Sequence, residues 1–299
     1  MGDEDSADST ADFAAAALLR LIAQGLAREG LAVPGPVPDG AHVTVDRKRD
    51  WLRRLPDDVE LPWRLGLSVQ QAPAEPLLHA LQPAQDLPDL IARWQRLERY
   101  VHARHRVRVL DAQPGSLRLV HDARRAGDPP PWPVEDRLVW GLIVGLARRL
   151  GLPPVEHHLD LAAPQRLELR WAPQPLAGGG VPSATPAGTL EAARAALAAD
   201  PAASWTLPRL AQRLGLAPRT LQRRLADAGS GFGRLWTAVR LDAAAPLLVQ
   251  GGDALAEIGY RCGFADQAHF TRLFHQHLAL TPARFRAEFR AECRAQAAA

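Results

Sequence analysis

The sequence predicts a mainly α protein with a small α+β N-terminal domain and an all-α C-terminal domain containing two helix-turn-helix units. Three observations support this fold class. Residues 207–214 and 255–262 carry the same apolar stripe, 48 residues apart, with apolar side chains at i, i+3, i+4 and i+7. Residues 106–120 alternate polar and apolar side chains around a Pro-Gly turn, as a half-buried hairpin does. Residues 173–188 are mostly Pro, Gly, Ala, Ser and Thr, the composition of a linker.

Length and composition are those of a soluble protein with an ordinary core. The chain has 299 residues, 47% apolar and 23% charged, and we expect domains at 1–172 and 189–299 joined by a linker at 173–188. No apolar run reaches the roughly 18 residues that span a bilayer. The acidic start of the sequence argues against an export signal, so we expect a cytoplasmic protein. Cys262 and Cys293 provide no disulfide framework, and Cys262 falls on a buried stripe as a small core residue.

Positive charge is concentrated in the C-terminal part. Residues 204–299 contain 13 arginines and 7 acidic residues, whereas the rest of the chain has a net charge of −3. Lys48 is the one lysine, which reflects a general preference for arginine in this chain. A basic C-terminal domain beside an acidic remainder is compatible with polyanion binding confined to one domain.

The predicted elements follow from the apolar periodicity and its breaks. We expect helices over 11–28, 46–55, 87–105 and 136–150, a hairpin over 106–120, and a short strand over 166–171. After the linker, a helix over 189–197 leads into helix-turn-helix units at 206–228 and 254–277, joined by a long helix over 232–249. Pro246 lies inside that long helix, where we expect a kink or an early end that could change the spacing of the two units.

The second helix of each unit has an outward face suited to DNA. Leu221 and Leu225 point inward in the first unit, as do Phe270 and Phe274 in the second. The expected outward residues are Arg219, Thr220, Gln222 and Arg223 in the first unit, and Asp266, Gln267, His269, Thr271 and Arg272 in the second. Arginine can bond guanine O6 and N7 together, and glutamine can do the same with adenine N6 and N7. Ala217 and Ala265 stand at the expected helix caps, where alanine costs on the order of 1 kcal/mol.

These residues carry a family resemblance. LAQRLGLAPRTLQRRL, the Arg240-Leu241 pair and AEIGYRCGFADQAHFTRLFHQHLALTPARFR resemble the DNA-binding module of the AraC/XylS transcription regulators. The resemblance implies double-stranded DNA, bound in two adjacent major-groove segments, as the partner. Arg219, Gln222 and Arg223 match positions that the family uses for base and backbone contacts.

A second resemblance concerns the N-terminal part. QDLPDLIARWQRLERYV, the hairpin and the next apolar helix are similar to the sensing domain of the ornithine and virulence regulator branch, which differs from the arabinose regulator's cupin barrel. It implies a small-molecule effector, a homodimer and RNA polymerase as further partners. Trp94, Tyr100, Trp132 and Trp140 are expected either to line an apolar pocket or to pack in the core.

Other classes of function remain open as alternatives. The sequence has no GxSxG, Walker or HExxH motif, so we expect no catalytic residue, cofactor or metal. The pairs His157-His158 and His275-x-His277 lack companion ligands at suitable spacing. One alternative is an enzyme or repair protein with an appended DNA reader, and another is a nucleoid binder without a ligand.

Overall fold

The computed structural model of the chain describes residues 12–72, 75–160, 163–172, 188–228 and 230–290. The N-terminal elements are β1 (Phe13–Ala15), α1 (Ala16–Arg28), β2 (His42–Thr44), α2 (Val45–Arg53), α3 (Leu61–Leu67), α4 (Leu87–Val101), β3 (His105–Gln113), β4 (Ser116–Ala123), α5 (Pro133–Arg149), β5 (Glu156–Leu159) and β6 (Arg166–Arg170). The C-terminal elements are α6 (Thr189–Ala198), α7 (Leu207–Arg213), α8 (Pro218–Asp227), α9 (Phe232–Gln250), α10 (Leu255–Arg261), α11 (Gln267–Leu278) and α12 (Pro282–Phe289). None of the helices in these ranges is long and apolar enough to cross a bilayer.

The described part of the chain begins with a short strand. β1 pairs with β2 in antiparallel fashion, with Phe13 opposite Thr44. The helix predicted over 11–28 therefore starts only at Ala16, because pairing with β2 overrides the helical preference of the alanine-rich sequence.

The larger sheet has four antiparallel strands in the order β3-β4-β6-β5. The predicted hairpin is confirmed and is longer than expected, with His105 opposite Ala123, and Gly115 turns the chain with a φ of 80°. The predicted strand near 166–171 is confirmed as β6. β5 was not predicted, because its four residues are mostly exposed and show no alternation.

Two helices of the N-terminal part differ from their predicted bounds. Asp86 caps α4 by accepting a hydrogen bond from the backbone N–H of Asp89 at 2.7 Å. The helix ends at Val101, earlier than predicted, because the chain from His105 onward pairs as β3. α5 starts three residues before the predicted Asp136, with Pro133 in its first turn, where proline is favoured.

Glycines allow α3 and α5 to approach closely. A Cβ atom on Gly66 would lie 2.4 Å from the carbonyl oxygen of Leu138, and one on Gly141 would lie 2.3 Å from that of Trp63. Because no side chain fits at these distances, glycine is required at both positions. The contact fixes α3 against the buried helix α5 and so positions the segment that follows α3.

The C-terminal part matches the predicted order of helices. Both helix-turn-helix units lie where the sequence places them, and α9 joins them. The early end considered at Pro246 does not occur, since α9 continues to Gln250. Leu241, Ala244, Ala245, Leu248 and Val249 are buried on both sides of the proline, and this packing holds the helix through the missing hydrogen bond. α12 was not predicted.

Buried side chains connect the N-terminal part to one of the two units. The first unit and α6 form a core cluster of their own, which includes Leu197, Leu210 and Leu221. Phe270 of the second unit belongs instead to a larger cluster that contains Trp140 of the N-terminal part. The domain bounds 1–172, 173–188 and 189–299 remain a prediction, and residues 173–187 of the linker lie outside the described residues.

Candidate nucleic-acid interface

The first helix-turn-helix unit consists of α7, a tight turn and α8. Thr206 caps α7 by accepting a hydrogen bond from the backbone N–H of Arg209 at 3.3 Å. In the turn, Gly215 has a φ of 66°, a left-handed conformation that glycine adopts without strain. Leu221 and Leu225 on α8 are buried. The opposite face of α8 is therefore held toward solvent.

The second unit repeats this arrangement with aromatic side chains. Gly263 turns the chain with a φ of 80° between α10 and α11. The rings of Phe264, Phe270 and Phe274 follow one another at centroid distances of 5.0 and 5.6 Å. Cys262 is buried beside them, which confirms its prediction as a core residue. The aromatic series fixes which face of α11 points inward.

The outward face of α8 carries polar side chains that have no partner within the described part of the chain. Arg219, Gln222 and Arg223 are exposed, and Thr220 is half-buried. Arg224, in contrast, turns toward α6 and donates a hydrogen bond to the hydroxyl of Thr189 at 3.1 Å. Two guanidinium groups and one amide are thus free to meet a ligand at the first unit.

The outward face of α11 carries the predicted residues of the second unit. Gln267 and Arg272 are exposed, while His269 and Thr271 are half-buried. The ring of His269 packs edge-on against Phe264 at a centroid distance of 5.8 Å. Of these side chains, Gln267 and Arg272 extend furthest into solvent.

The cap of α11 is not the residue expected from the sequence. Asp266, and not Ala265, is the N-cap, and its carboxylate accepts a hydrogen bond from the backbone N–H of His269 at 2.7 Å. A good capping residue therefore replaces the predicted weak one. In the first unit, Ala217 is the N-cap as expected and has no side-chain hydrogen bond, with Pro218 following it.

An open groove beside α11 includes two residues that sequence reasoning missed. His275 and Gln276 line this groove together with Gln267, Thr271 and Arg272. His275 lies one turn after Thr271, and Gln276 one turn after Arg272. The i, i+4 spacing on one helix face was the available signal for both.

Arg240 of the connecting helix α9 contacts the second unit through a hydrogen bond and a cation–π contact. Its guanidinium donates a hydrogen bond to the carbonyl oxygen of Gly263 at 2.9 Å. It also lies over the rings of Trp236 at 4.3 Å and Phe264 at 4.7 Å. Burial lowers the pKa of Arg240. Because Trp236 packs on the core of the first unit, Arg240 links both units through one side chain.

The four aromatic residues considered for an N-terminal pocket are dispersed. Trp94 lines a cavity beside α4. Trp140 is fully buried and donates a hydrogen bond to the carbonyl oxygen of Pro164 at 2.9 Å. The Tyr100 hydroxyl bonds Glu288, and the Trp132 ring lies under the Arg49 guanidinium at 4.7 Å. The idea of one pocket lined by all four is wrong.

Comparison with known proteins identifies the C-terminal part. A helix-turn-helix domain family matches residues 210–288, which contain both units and α9. Residues 210–288 are an AraC-type DNA-binding domain. The resemblance predicted from the sequence is confirmed for this part of the chain.

Curated relatives match this chain over less than a third of its length. The HTH-type transcriptional regulator GadX of Escherichia coli O6:H1 is 28% identical over 82 residues, 27% of this chain and 30% of the relative. The urease operon transcriptional activator of Escherichia coli is 33% identical over 89 residues, 30% of each chain. The protein thus spans about three tenths of the length of these relatives.

Solved structures are similar over about a third of this chain. A transcriptional regulator from Chromobacterium violaceum with an AraC-type DNA-binding domain is 27% identical, with a TM-score of 0.33, over 37% of this chain and 95% of that chain. The DNA-binding domain of AdpA in complex with a target DNA is 26% identical, with a TM-score of 0.32, over 35% of this chain and 96% of that chain.

Proposed function

We propose that this protein is a sequence-specific transcription regulator of the AraC/XylS type, whose N-terminal part controls how its two recognition helices are presented. The observation that carries this proposal is the pair of helices α8 and α11, each with exposed polar side chains opposite a buried apolar face. A helix of this kind fits the major groove of B-DNA and reads base edges with its N-terminal residues.

Specific roles follow from side-chain chemistry and exposure. Arg223 and Arg272 are suited to bidentate bonds with guanine, and Gln222 and Gln267 to bonds with adenine. Arg219 and the half-buried Thr220, His269 and Thr271 lie on the same faces and are assigned to base or phosphate contacts. Asp266 contributes by capping α11, so that the backbone at the helix N-terminus stays ordered.

One loop of the N-terminal part contacts two helices of the DNA-binding domain. Arg234 lies in the first turn of α9, and its guanidinium donates hydrogen bonds to the carboxylate of Asp39 at 2.7 and 2.9 Å. Two residues later, the backbone N–H of Ala41 donates to the carbonyl oxygen of Gln276 on α11 at 2.9 Å. A shift of this loop would therefore move α9 and the second recognition helix together.

A second contact joins α4 to the last helix of the DNA-binding domain. The Tyr100 hydroxyl donates to the carboxylate of Glu288 at 2.8 Å, and the Arg284 guanidinium donates to the Tyr100 oxygen at 3.1 Å. Arg96 donates to the carbonyl oxygen of Glu288 at 3.2 Å. Together with the loop, these bonds support a mechanism in which an effector or self-association shifts the population of domain arrangements. RNA polymerase and a second copy of the chain are further partners in this proposal.

The test is selection of bound duplexes from a random pool, followed by affinity measurements on the selected site. We expect Arg223→Ala and Arg272→Ala each to weaken binding by about 1 to 3 kcal/mol and to relax base preference at one position. Arg166→Ala serves as the control, since Arg166 is an exposed arginine on a strand of the N-terminal sheet. Equal binding of unrelated duplexes at physiological salt, or wild-type affinity in both variants, would refute the proposal.

A further inference from the structure

The N-terminal part contains a small, partly open apolar cavity away from the DNA-reading helices. Its volume is about 120 Å³, and it lies between α1, α4, α5 and the 3-10 turn Pro76–Ala80, here called the docking turn. Its walls are mainly Leu18, Leu21, Leu77, Leu78, Trp94, Leu97, Leu142 and Leu146. An apolar cavity of about 150 Å³ is known to stay dry and to take up benzene. The size therefore suits a compound of roughly six to eight non-hydrogen atoms.

Part of the cavity wall is polar, and most of its polar atoms already have partners. Glu98 accepts hydrogen bonds from Nε1 of Trp94 at 2.6 Å and from the backbone N–H of Val107 at 2.9 Å. His102 lies one turn after Glu98, with Nε2 2.9 Å from Lys48 Nζ and Nδ1 3.2 Å from the backbone nitrogen of His105. These groups offer a ligand little unused bonding capacity.

His121 is the exception. Its Nδ1 lies 2.8 Å from Oδ1 of Asp136, and both side chains are buried. A carboxylate accepts hydrogen bonds, so Nδ1 carries the proton that bonds Asp136, and Nε2 is the ring nitrogen left to meet a ligand. This Nε2 has no hydrogen-bond partner among the described residues. Gln24, whose Oε1 is a buried acceptor without a partner, also lies in the cavity wall.

The charges around the cavity favour a neutral ligand. Lys48 is paired with Glu135 at 2.5 Å, and Arg20 is paired with Glu75 at 2.9 Å. These two cations are therefore already neutralised, and a carboxylate in the cavity would lose its hydration and lie beside the carboxyl group of Glu98. Nε2 of the Nδ1-protonated His121 ring and Oε1 of Gln24 can both accept a hydrogen bond, so a ligand hydroxyl group is a suitable donor.

We infer that this cavity binds a small neutral compound with an apolar body and one hydroxyl group, such as a phenol or a short alcohol. The hydroxyl donates its hydrogen bond to Nε2 of His121. The apolar body lies against the leucines of α1, α5 and the docking turn.

The docking turn connects this cavity to the DNA-binding domain. The effect of the ligand on DNA binding, given below, rests on the proposed function. Leu77 and Leu78 face the cavity. Nε2 of the next residue, His79, lies 3.4 Å from Oδ1 of Asp242 on α9. Occupancy of the cavity thus changes the surface on which α9 packs. Since α9 joins the two units, the ligand would alter how both meet DNA.

Direct binding is tested by isothermal titration calorimetry on the full chain at pH 7 with phenol and toluene, which have the same size and shape. We expect phenol to bind about fivefold more tightly than toluene, the effect of one buried hydrogen bond. In His121→Asn, the side-chain amide can still reach Asp136, but no atom replaces Nε2. This variant should bind toluene more tightly than phenol, because the buried phenol hydroxyl is then left without an acceptor.

One further variant and two charged ligands test the cavity and the class of ligand separately. Ala17→Leu places a larger side chain in the cavity wall and should weaken both ligands. Benzoate or benzylamine binding more tightly than phenol would overturn the neutral-ligand assignment. No binding of phenol or toluene, or a phenol preference that survives in His121→Asn, would overturn the site itself. If calorimetry detects phenol but the affinity for the selected duplex is unchanged, the coupling through the docking turn is wrong. If no duplex is selected at all, it is the proposed function that fails.

Discussion

Replacing Arg240 with methionine tests whether one side chain holds the second helix-turn-helix unit on the connecting helix. Methionine keeps most of the buried volume and can still pack against Trp236 and Phe264. It removes the hydrogen bond to the carbonyl oxygen of Gly263 and the positive charge over two rings. The second unit would then be attached to α9 mainly by apolar packing.

The expected loss of stability combines two contributions that Arg240 makes with one cost that its removal recovers. A hydrogen bond to a charged group contributes about 1.5 to 3 kcal/mol, and each cation–π contact about 0.5 to 1 kcal/mol. Against these, Nε of Arg240 is buried without a partner, and removing it recovers about 1 to 3 kcal/mol. The net loss is therefore about 2 kcal/mol, which corresponds to roughly 30-fold more frequent local opening.

Native-state hydrogen exchange measures this opening unit by unit. In Arg240→Met, amides of α10 and α11 should exchange roughly 30-fold faster, while those of α7 and α8 change little. Arg209→Met is the matched control. Arg209 also lies over a ring, Trp205 at 4.9 Å, and bonds a backbone carbonyl at 3.0 Å, but it is exposed. If the two variants change protection of α10 and α11 equally, Arg240 does not hold the unit.

Three further predictions concern groups whose environment is unusual. Burial raises the pKa of Glu98 to about 7, so the folded state binds this proton more tightly than the unfolded state does. The free energy of unfolding of wild type relative to Glu98→Gln should fall by about 3 kcal/mol as pH rises from 4 to 8. The same pH dependence of the unfolding free energy in both proteins would contradict this. Gly263→Ala should destabilise the protein more than Gly215→Ala, because both have positive φ but only at Gly263 would the new Cβ lie 2.7 Å from a backbone oxygen; equal shifts in urea midpoint would be evidence against this. Burial raises the pKa of the Cys262 thiol to about 11, so in a Cys293→Ser background a thiol reagent at pH 8 should react only as the protein unfolds, and fast labelling of the native protein would exclude this burial.

The DNA-binding domain was largely predictable because its signal occurs twice. The repeated stripe fixes the inward faces of α7 and α10, and the inward leucines and phenylalanines then determine the outward faces of α8 and α11. The errors there were local. The cap of α11 is Asp266, next to the predicted Ala265, since periodicity does not distinguish adjacent positions at a helix end. Pro246 does not end α9, because tertiary packing outweighs a local helix-breaking preference.

The N-terminal part was predictable where the sequence shows a clear period. α4, α5 and the hairpin show clear periods, whereas β1 and β2 have three residues each and gain their structure from pairing with each other. The bonds of Asp39 to Arg234 and of Tyr100 to Glu288 join residues nearly 200 positions apart, which no local pattern reveals. The cavity beside His121 is likewise a product of packing among several elements.

A methylation-protection footprint of the selected duplex tests most directly whether two helices of one chain read one duplex. With α9 continuous through Pro246, we expect two protected major-groove segments about one helical turn, roughly 10 base pairs, apart on one face. Arg223→Ala should remove protection from one segment and Arg272→Ala from the other. A single protected segment, or loss of both segments in each variant, would contradict the account.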